Sequence, residues 1–148
     1  MEDVMQEKVA KLVSVIESIS PETVTTPTLV YFDIVGIAWP IRCLLHIENI
    51  DYNYVPISIQ EWLFQSADGH QPLKSAFSNG HVPFYVDKEV SLNQSNLILT
   101  MLARRTGMMG DSDKEAWAIE AVLAHCYDAL FHWNGMLTVN IRLNLPDD

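Results

Sequence analysis

The sequence predicts a mixed α/β domain of order βαβ–ββα, preceded by an amphipathic helix and followed by one long helix. Three observations carry that expectation. Residues 28–33 (TLVYFD) and 52–57 are short apolar runs rich in β-branched and aromatic side chains, with a helix-length segment between them. Strand, helix and strand within about thirty residues make a βαβ unit with a parallel pair. Residues 82–86 and 89–92 are two more such runs around Asp87-Lys88, a hairpin. Apolar residues then return at helical spacing in Leu97, Ile98, Met101 and Leu102, and Gly107 closes that helix.

Taken in order, residues 4–19 read as a helix. Met5, Val9, Leu12, Ile16 and Ile19 recur at spacings of 4, 3, 4 and 3, with charges on the other faces. That seam packs either on a neighbouring surface of the same chain or on a partner helix. Ser20-Pro21 stops it, and residues 22–27 are a linker. After the first strand, Gly36 leads into Ala38-Trp39-Pro40, where proline in the first turn opens a helix whose buried face is Ile41, Leu44, Leu45 and Ile47. Residues 61–77 are expected to be irregular, with one short helix near Leu73-Lys74. Asn93 or Gln94 begins the helix after the hairpin, and Ser112 or Asp113 caps the long one, which has Glu115 near its start and runs to about Trp133. This order is the thioredoxin-like arrangement. The expected divisions are residues 1–27, 28–110 and 111–148.

The 148 residues suffice for one compact domain with small additions. Nine basic against nineteen acidic side chains leave a formal charge of −10. That balance argues against a broad nucleic-acid or anionic-membrane surface, which needs clustered lysine and arginine. Cys43 and Cys126 stand apart among apolar neighbours and read as buried, reduced thiols; no cysteine–histidine cluster has zinc spacing, so no metal site is expected. With an acidic N-terminus and no long apolar run, the expected location is cytoplasmic, without a membrane span.

Several residues are candidates for chemistry. Gln94-Ser95-Asn96 at a helix start offers N–H groups and a hydroxyl to a carboxylate or phosphate, or simply caps its own helix. His81-Val82-Pro83 enters a strand, where a cis bond before Pro83 would present the Val82 backbone to a peptide-like ligand. Tyr31, near the Gly36 loop, is either a core tyrosine or a phenol that donates to an anionic sulfur.

Together these residues give the chain a specific likeness. Val30-Tyr31-Phe32 with Pro40-Ile41-Arg42, then Trp62, Leu73-Lys74-Ser75, Val82-Pro83, Gln94-Ser95-Asn96, Leu102-Ala103-Arg104, Gly107-Met108-Met109-Gly110 and Asp128 follow in order over a hundred residues. In that series the chain resembles a glutathione transferase of the tyrosine-type classes (alpha, mu, pi and sigma). The resemblance implies glutathione as co-substrate, with Tyr31 as the catalytic residue stabilising its thiolate. It places Trp62 and Lys74 at the glycine carboxylate end and the Val82 backbone, held by cis-Pro83, against the cysteinyl moiety. Gln94 and Ser95 then take the γ-glutamyl group, and Asp128 reaches the γ-glutamyl amine in the partner subunit of a dimer.

Three departures from the family pattern stand out. Ile37 occupies a position where many members carry arginine. His81 replaces the usual glutamine and retains a hydrogen-bond donor for the ligand. The stretch between Trp62 and Lys74 is longer than usual by a few residues. The family's helical domain is also represented only by its first helix, a truncated helical region that is apolar on most faces (Trp117, Ile119, Val122, Leu123, Tyr127, Leu130 and Phe131). The tail is unlike the family. Leu137, Val139, Ile141, Leu143 and Leu145 alternate with polar residues up to Pro146, which predicts a C-terminal strand joined to a sheet edge of this or another chain, or a read-through tail without function. Two functions stay open: a glutathione-conjugating enzyme, or a shortened, non-catalytic subunit of a homodimer or heteromeric protein assembly.

Overall fold

The computed structural model describes residues 2–143, which divide into two compact units between Thr106 and Gly107. Among the described residues the elements are α1 (Glu2–Ser18), β1 (Thr28–Phe32), α2 (Trp39–Ile47), β2 (Asn53–Ile57), α3 (Ile59–Leu63), α4 (Pro72–Ser75), β3 (Phe84–Val86), β4 (Ser91–Asn93), α5 (Ser95–Arg105) and α6 (Asp113–Leu143). No helix among them is long and apolar enough to cross a membrane.

In the first unit the strands form one sheet of order β2-β1-β3-β4. β1 runs parallel to β2 and antiparallel to β3, and β3 is antiparallel to β4. This is the βαβ–ββα order expected from the apolar runs. Alternation along the strands turns Val30, Ile57, Phe84 and Val86 into one core cluster. The same alternation sends Leu29, Tyr31 and Tyr85 to the opposite face; α2 and α5 pack on each other. The hairpin strands are shorter than the apolar runs because Asp87 closes the turn itself. Its carboxylate accepts from the N–H groups of Glu89 and Val90 at 2.8 and 3.0 Å.

The N-terminal seam packs within its own chain. Val9 and Ile16 are 1% and 3% exposed and belong to the same cluster as Val30, Ile57, Leu73 and Phe77. Each such burial stabilises by about 1.5–3 kcal/mol. The helix therefore shares a compact unit with the sheet. Its end is closed by Thr23, whose hydroxyl donates to the Ser18 carbonyl at 2.8 Å.

One helix forms at the start of the stretch that the sequence predicts to be irregular. Residues 59–63 form α3, started by a capping box: Glu61 N–H donates to the Ser58 hydroxyl at 3.1 Å, and Ser58 N–H to the Glu61 carboxylate at 2.7 Å.

In the second unit α6 opens on a related pairing of Ser112 with Glu115. Glu115 N–H donates to the Ser112 hydroxyl at 3.3 Å, while its carboxylate accepts from that hydroxyl and from Asp111 N–H, both at 2.9 Å. Two expectations are corrected here. Cys126 is exposed on α6 and Cys43 only half-buried, so neither thiol is a core thiol. Residues 137–143, whose alternation predicts a strand, continue α6 as helix. Once a helix is nucleated each further residue adds a backbone hydrogen bond at little entropic cost, whereas an isolated strand would leave its backbone unpaired. Leu145 and Pro146 lie outside the described residues.

Candidate functional site

Strand register gathers the candidate residues at one end of the sheet. Val30 pairs with Phe84, and Phe84 with Asn93, so Tyr31, Pro83 and Gln94 each lie one step beyond a paired position. Phe32 pairs with Ile57, which places Ser58 and the start of α3 at the same end. Rings line this end in sequence: Tyr31 to Phe32 at 5.2 Å, Phe32 to Trp62 at 5.4 Å, Trp62 to Phe77 at 5.9 Å and Phe77 to Phe84 at 5.5 Å. These separations suit edge and tilted contacts between aromatic quadrupoles.

Tyr31 is buried, and its hydroxyl oxygen accepts from the Ile37 N–H at 3.2 Å. Burial pushes the phenol above its ordinary range, and the Ile37 N–H offsets only part of that. The hydroxyl therefore keeps its proton at neutral pH and remains a donor. The main chain of residue 37, whatever its side chain, makes this contact. The backbone of Gly36 lies against the phenol; a Cβ there would sit 2.5 Å from the hydroxyl. On the adjacent strand Tyr54 donates to the Phe32 carbonyl at 2.6 Å, which anchors the end of β1.

The Val82–Pro83 bond is cis, as the family resemblance implies. The approach to it is held by Asn93, whose side-chain amide donates to the His81 carbonyl at 2.6 Å and ties the loop to the end of β4. The His81 ring is exposed, with Nδ1 bonded to the Asn79 carbonyl of its own loop.

Trp62 and Lys74 come together in spite of the longer stretch between them. The lysine Nζ stands 5.7 Å from the Trp62 ring centroid, within cation–π range. Within that stretch residues 66–70 close a tight turn. Ser66 N–H donates to the His70 carbonyl at 2.9 Å, Gly69 N–H to the Ser66 carbonyl at 2.8 Å, and the Ser66 hydroxyl to Asp68 at 2.6 Å.

Gln94 is the N-cap of α5 with φ +75° and makes no side-chain cap. A non-glycine residue at positive φ costs about 1–3 kcal/mol and is concentrated at functional sites. Ser95, directly after it, is buried in the first turn. Asp128 is exposed on α6 in the second unit.

A thioredoxin-like sheet with a cis-proline, a buried phenol and a helix start at one end has known relatives. Residues 27–104 match the family model described as glutathione S-transferase, N-terminal domain. The chain belongs to the glutathione S-transferase family. It is 32% identical to glutathione S-transferase P of Capra hircus over 120 residues, 81% of this chain and 54% of that protein. It is 33% identical to glutathione S-transferase P of Caenorhabditis elegans over 122 residues, 82% of this chain and 53% of that one. The solved Pi-class glutathione S-transferase of Onchocerca volvulus has a TM-score of 0.67 at 27% identity, covering 76% of this chain and 50% of its own. The glutathione S-transferase of Ascaris lumbricoides shares the fold, with a TM-score of 0.68 at 20% identity over 82% of this chain and 56% of its own. The chain thus spans about half the length of the curated relatives it matches.

Two contributors to the geometry of this candidate site have no counterpart in the sequence reading. The sequence places Asn93 only at a possible helix start, although a polar side chain closing a strand beside a loop is a usable signal. The Ile37 N–H leaves no trace in side-chain identity and had no signal at all.

Proposed function

We propose that the first unit binds glutathione along this end of the sheet and presents its thiol to Tyr31. The γ-glutamyl group sits at Gln94 and Ser95, the cysteinyl backbone pairs with Val82 beside Pro83, and the glycine carboxylate lies at Trp62 and Lys74; the His81 ring borders the loop. Asp128 serves the γ-glutamyl amine of a partner subunit in a homodimer. What carries the reading is the register that sets Tyr31, Pro83 and Gln94 side by side, each one step beyond a paired strand position.

The chemistry follows from the phenol. A protonated Tyr31 hydroxyl donates to the sulfur and stabilises the thiolate, which lowers the thiol pKa. The thiolate then attacks an electrophilic carbon, and on an activated aryl halide it displaces halide. Holding the tripeptide at four places supplies proximity.

The test is retention on immobilised glutathione together with a pH profile of aryl-halide conjugation. Tyr31→Phe should leave retention intact and lower the conjugation rate about tenfold or more at neutral pH, because a hydrogen bond to a charged group is lost. It should also move the rise of rate with pH to higher pH. Folded protein that passes through the column unretained ends the ligand reading, and a profile identical to wild type removes the role of Tyr31.

A second reading has its own observation. Trp117, Val122 and Leu130 of α6 are 67%, 63% and 39% exposed. Apolar exposure of that size suits a subunit docked in a heteromeric assembly, holding glutathione without turnover. Retention without any conjugation, joined to a stable complex with a different chain, would favour it.

A further inference from the structure

The helix α1 precedes the segment that matches the family model. It packs mainly on α4 and then on α3, the two short helices that carry Lys74 and Trp62. Those helices have 4 and 5 residues; α3 buries no residue of its own, and α4 buries Leu73 alone. Helices this short do not hold themselves together in water, so their position comes from what they pack against. Val9 and Ile16 of α1 fill one cluster with Leu73 and Phe77, and Trp62 packs on that cluster from the side. The longer stretch also meets this helix: a groove of about 290 Å³ runs between Val9, Ala10 and Val13 on one side and Phe64, Ser66 and Pro72 on the other.

We infer that α1 is a positioning element for the glycine end of the tripeptide site, with Val9 and Ile16 setting Trp62 and Lys74 through Leu73 and Phe77. The inference rests on the glutathione reading above and makes a claim the reading does not: support by α1 is specific to one end of the ligand. Val30 and Phe84, which flank the thiol end, share that cluster, but they are also held by strand register, so the γ-glutamyl and thiol ends keep their geometry when α1 is loosened.

The experiment is calorimetric titration with glutathione and with γ-glutamylcysteine, which lacks the glycine. Val9→Ala should weaken glutathione about three- to tenfold and leave γ-glutamylcysteine unchanged. Val9→Ile should restore wild-type affinity, and Val15→Ala, at a position 45% exposed on the same helix, should change neither ligand. Equal weakening of both ligands would mean general loosening and would overturn the inference, as would no change in either. Should Val9→Ala fail to fold, amide hydrogen exchange on the wild-type chain gives the same answer, because linkage is reciprocal. Glutathione should slow exchange along residues 5–16 more than γ-glutamylcysteine does, and equal slowing by both would refute the positioning role. A wild-type chain that binds neither ligand removes the glutathione reading, and this inference with it.

Discussion

The two ends of the proposed tripeptide groove are held by different physics. At the thiol end, Tyr31, Pro83 and Gln94 flank positions where β1, β3 and β4 are paired in register. Moving any one of them means breaking ladder hydrogen bonds that stabilise the whole sheet. At the glycine end, Trp62 and Lys74 ride on helices of 5 and 4 residues, joined by a turn and covered by α1. A site residue inherits the cooperativity of the element beneath it. Strand positions are defined by the fold, whereas short-helix positions are defined by their packing partners.

Two glycines, one in each region, break the comparison open most directly. Gly36 has φ +43° and its Cβ position lies within 3.0 Å of three Tyr31 atoms, whereas Gly69 has φ +80° and open space around it. Gly36→Ala adds a clash to backbone strain and should destabilise by about 3 kcal/mol, with most of the conjugation lost as the phenol shifts. Gly69→Ala meets only the strain and should cost about 1 kcal/mol, with catalysis kept. Urea unfolding of both variants checks the order. Equal losses would mean that Tyr31 is not seated as described.

The far end of the sheet supplies a control for the thiol end. Val86 pairs with Thr28, so Asp87 sits opposite the site. Its carboxylate is bonded by Arg105 and by the Tyr85 hydroxyl, the latter at 3.0 Å. Burial pushes this carboxyl up, but the Glu89 N–H, Arg105, the Val90 N–H and Tyr85 together outweigh burial and hold it below the usual carboxylate range. A lowered folded value means stability that is present above the unfolded pKa, near 4, and lost as pH falls through the folded one. Asp87→Asn should therefore cost about 2 kcal/mol at pH 7, and the gap to wild type should close below about pH 4. Glutathione affinity should not change. Denaturation midpoints across pH 2–8, with one binding isotherm, test both statements; a loss of affinity would show the two sheet ends to be coupled.

How far the sequence reached follows the same division. The sheet was legible because its strands are short apolar runs separated by strong punctuation: Gly36 before α2 and Pro40 in its first turn, Asp87 in the hairpin turn, Gly107 after α5. The site residues on those strands came with them. The glycine end was less legible, because α3 depends on a capping box at Ser58 and Glu61 that is easily passed over between irregular segments. The seam of α1 was plain in the apolar spacing, but spacing cannot say which surface a helix meets, so packing on its own chain and pairing with a partner looked alike. The tail misled for a different reason. Alternation at 137–143 is a strand pattern only if a sheet edge is available, and a helix already running from Asp113 needs none.

The smallest effect is also the sharpest test of strain at the thiol end. Gln94 must take the chain from a paired strand residue, Asn93, straight into the first turn of α5 at Ser95, and it does so at φ +75° and ψ 110°. A side chain other than glycine is disfavoured there, so Gln94 carries a cost to stability that its proposed contact with the γ-glutamyl group offsets in function. Gln94→Gly relieves the strain while freeing the unfolded chain, and the difference should leave the protein about 0.5 kcal/mol more stable. Gln94→Ala keeps the strain and should leave stability near wild type. Both variants remove the amide, so both should bind glutathione about fivefold more weakly, yet bind cysteinylglycine, which lacks the γ-glutamyl group, as wild type does. A glycine variant less stable than the alanine variant would show the backbone at Gln94 to be relaxed. Undiminished glutathione affinity in both would move the γ-glutamyl group off this helix start.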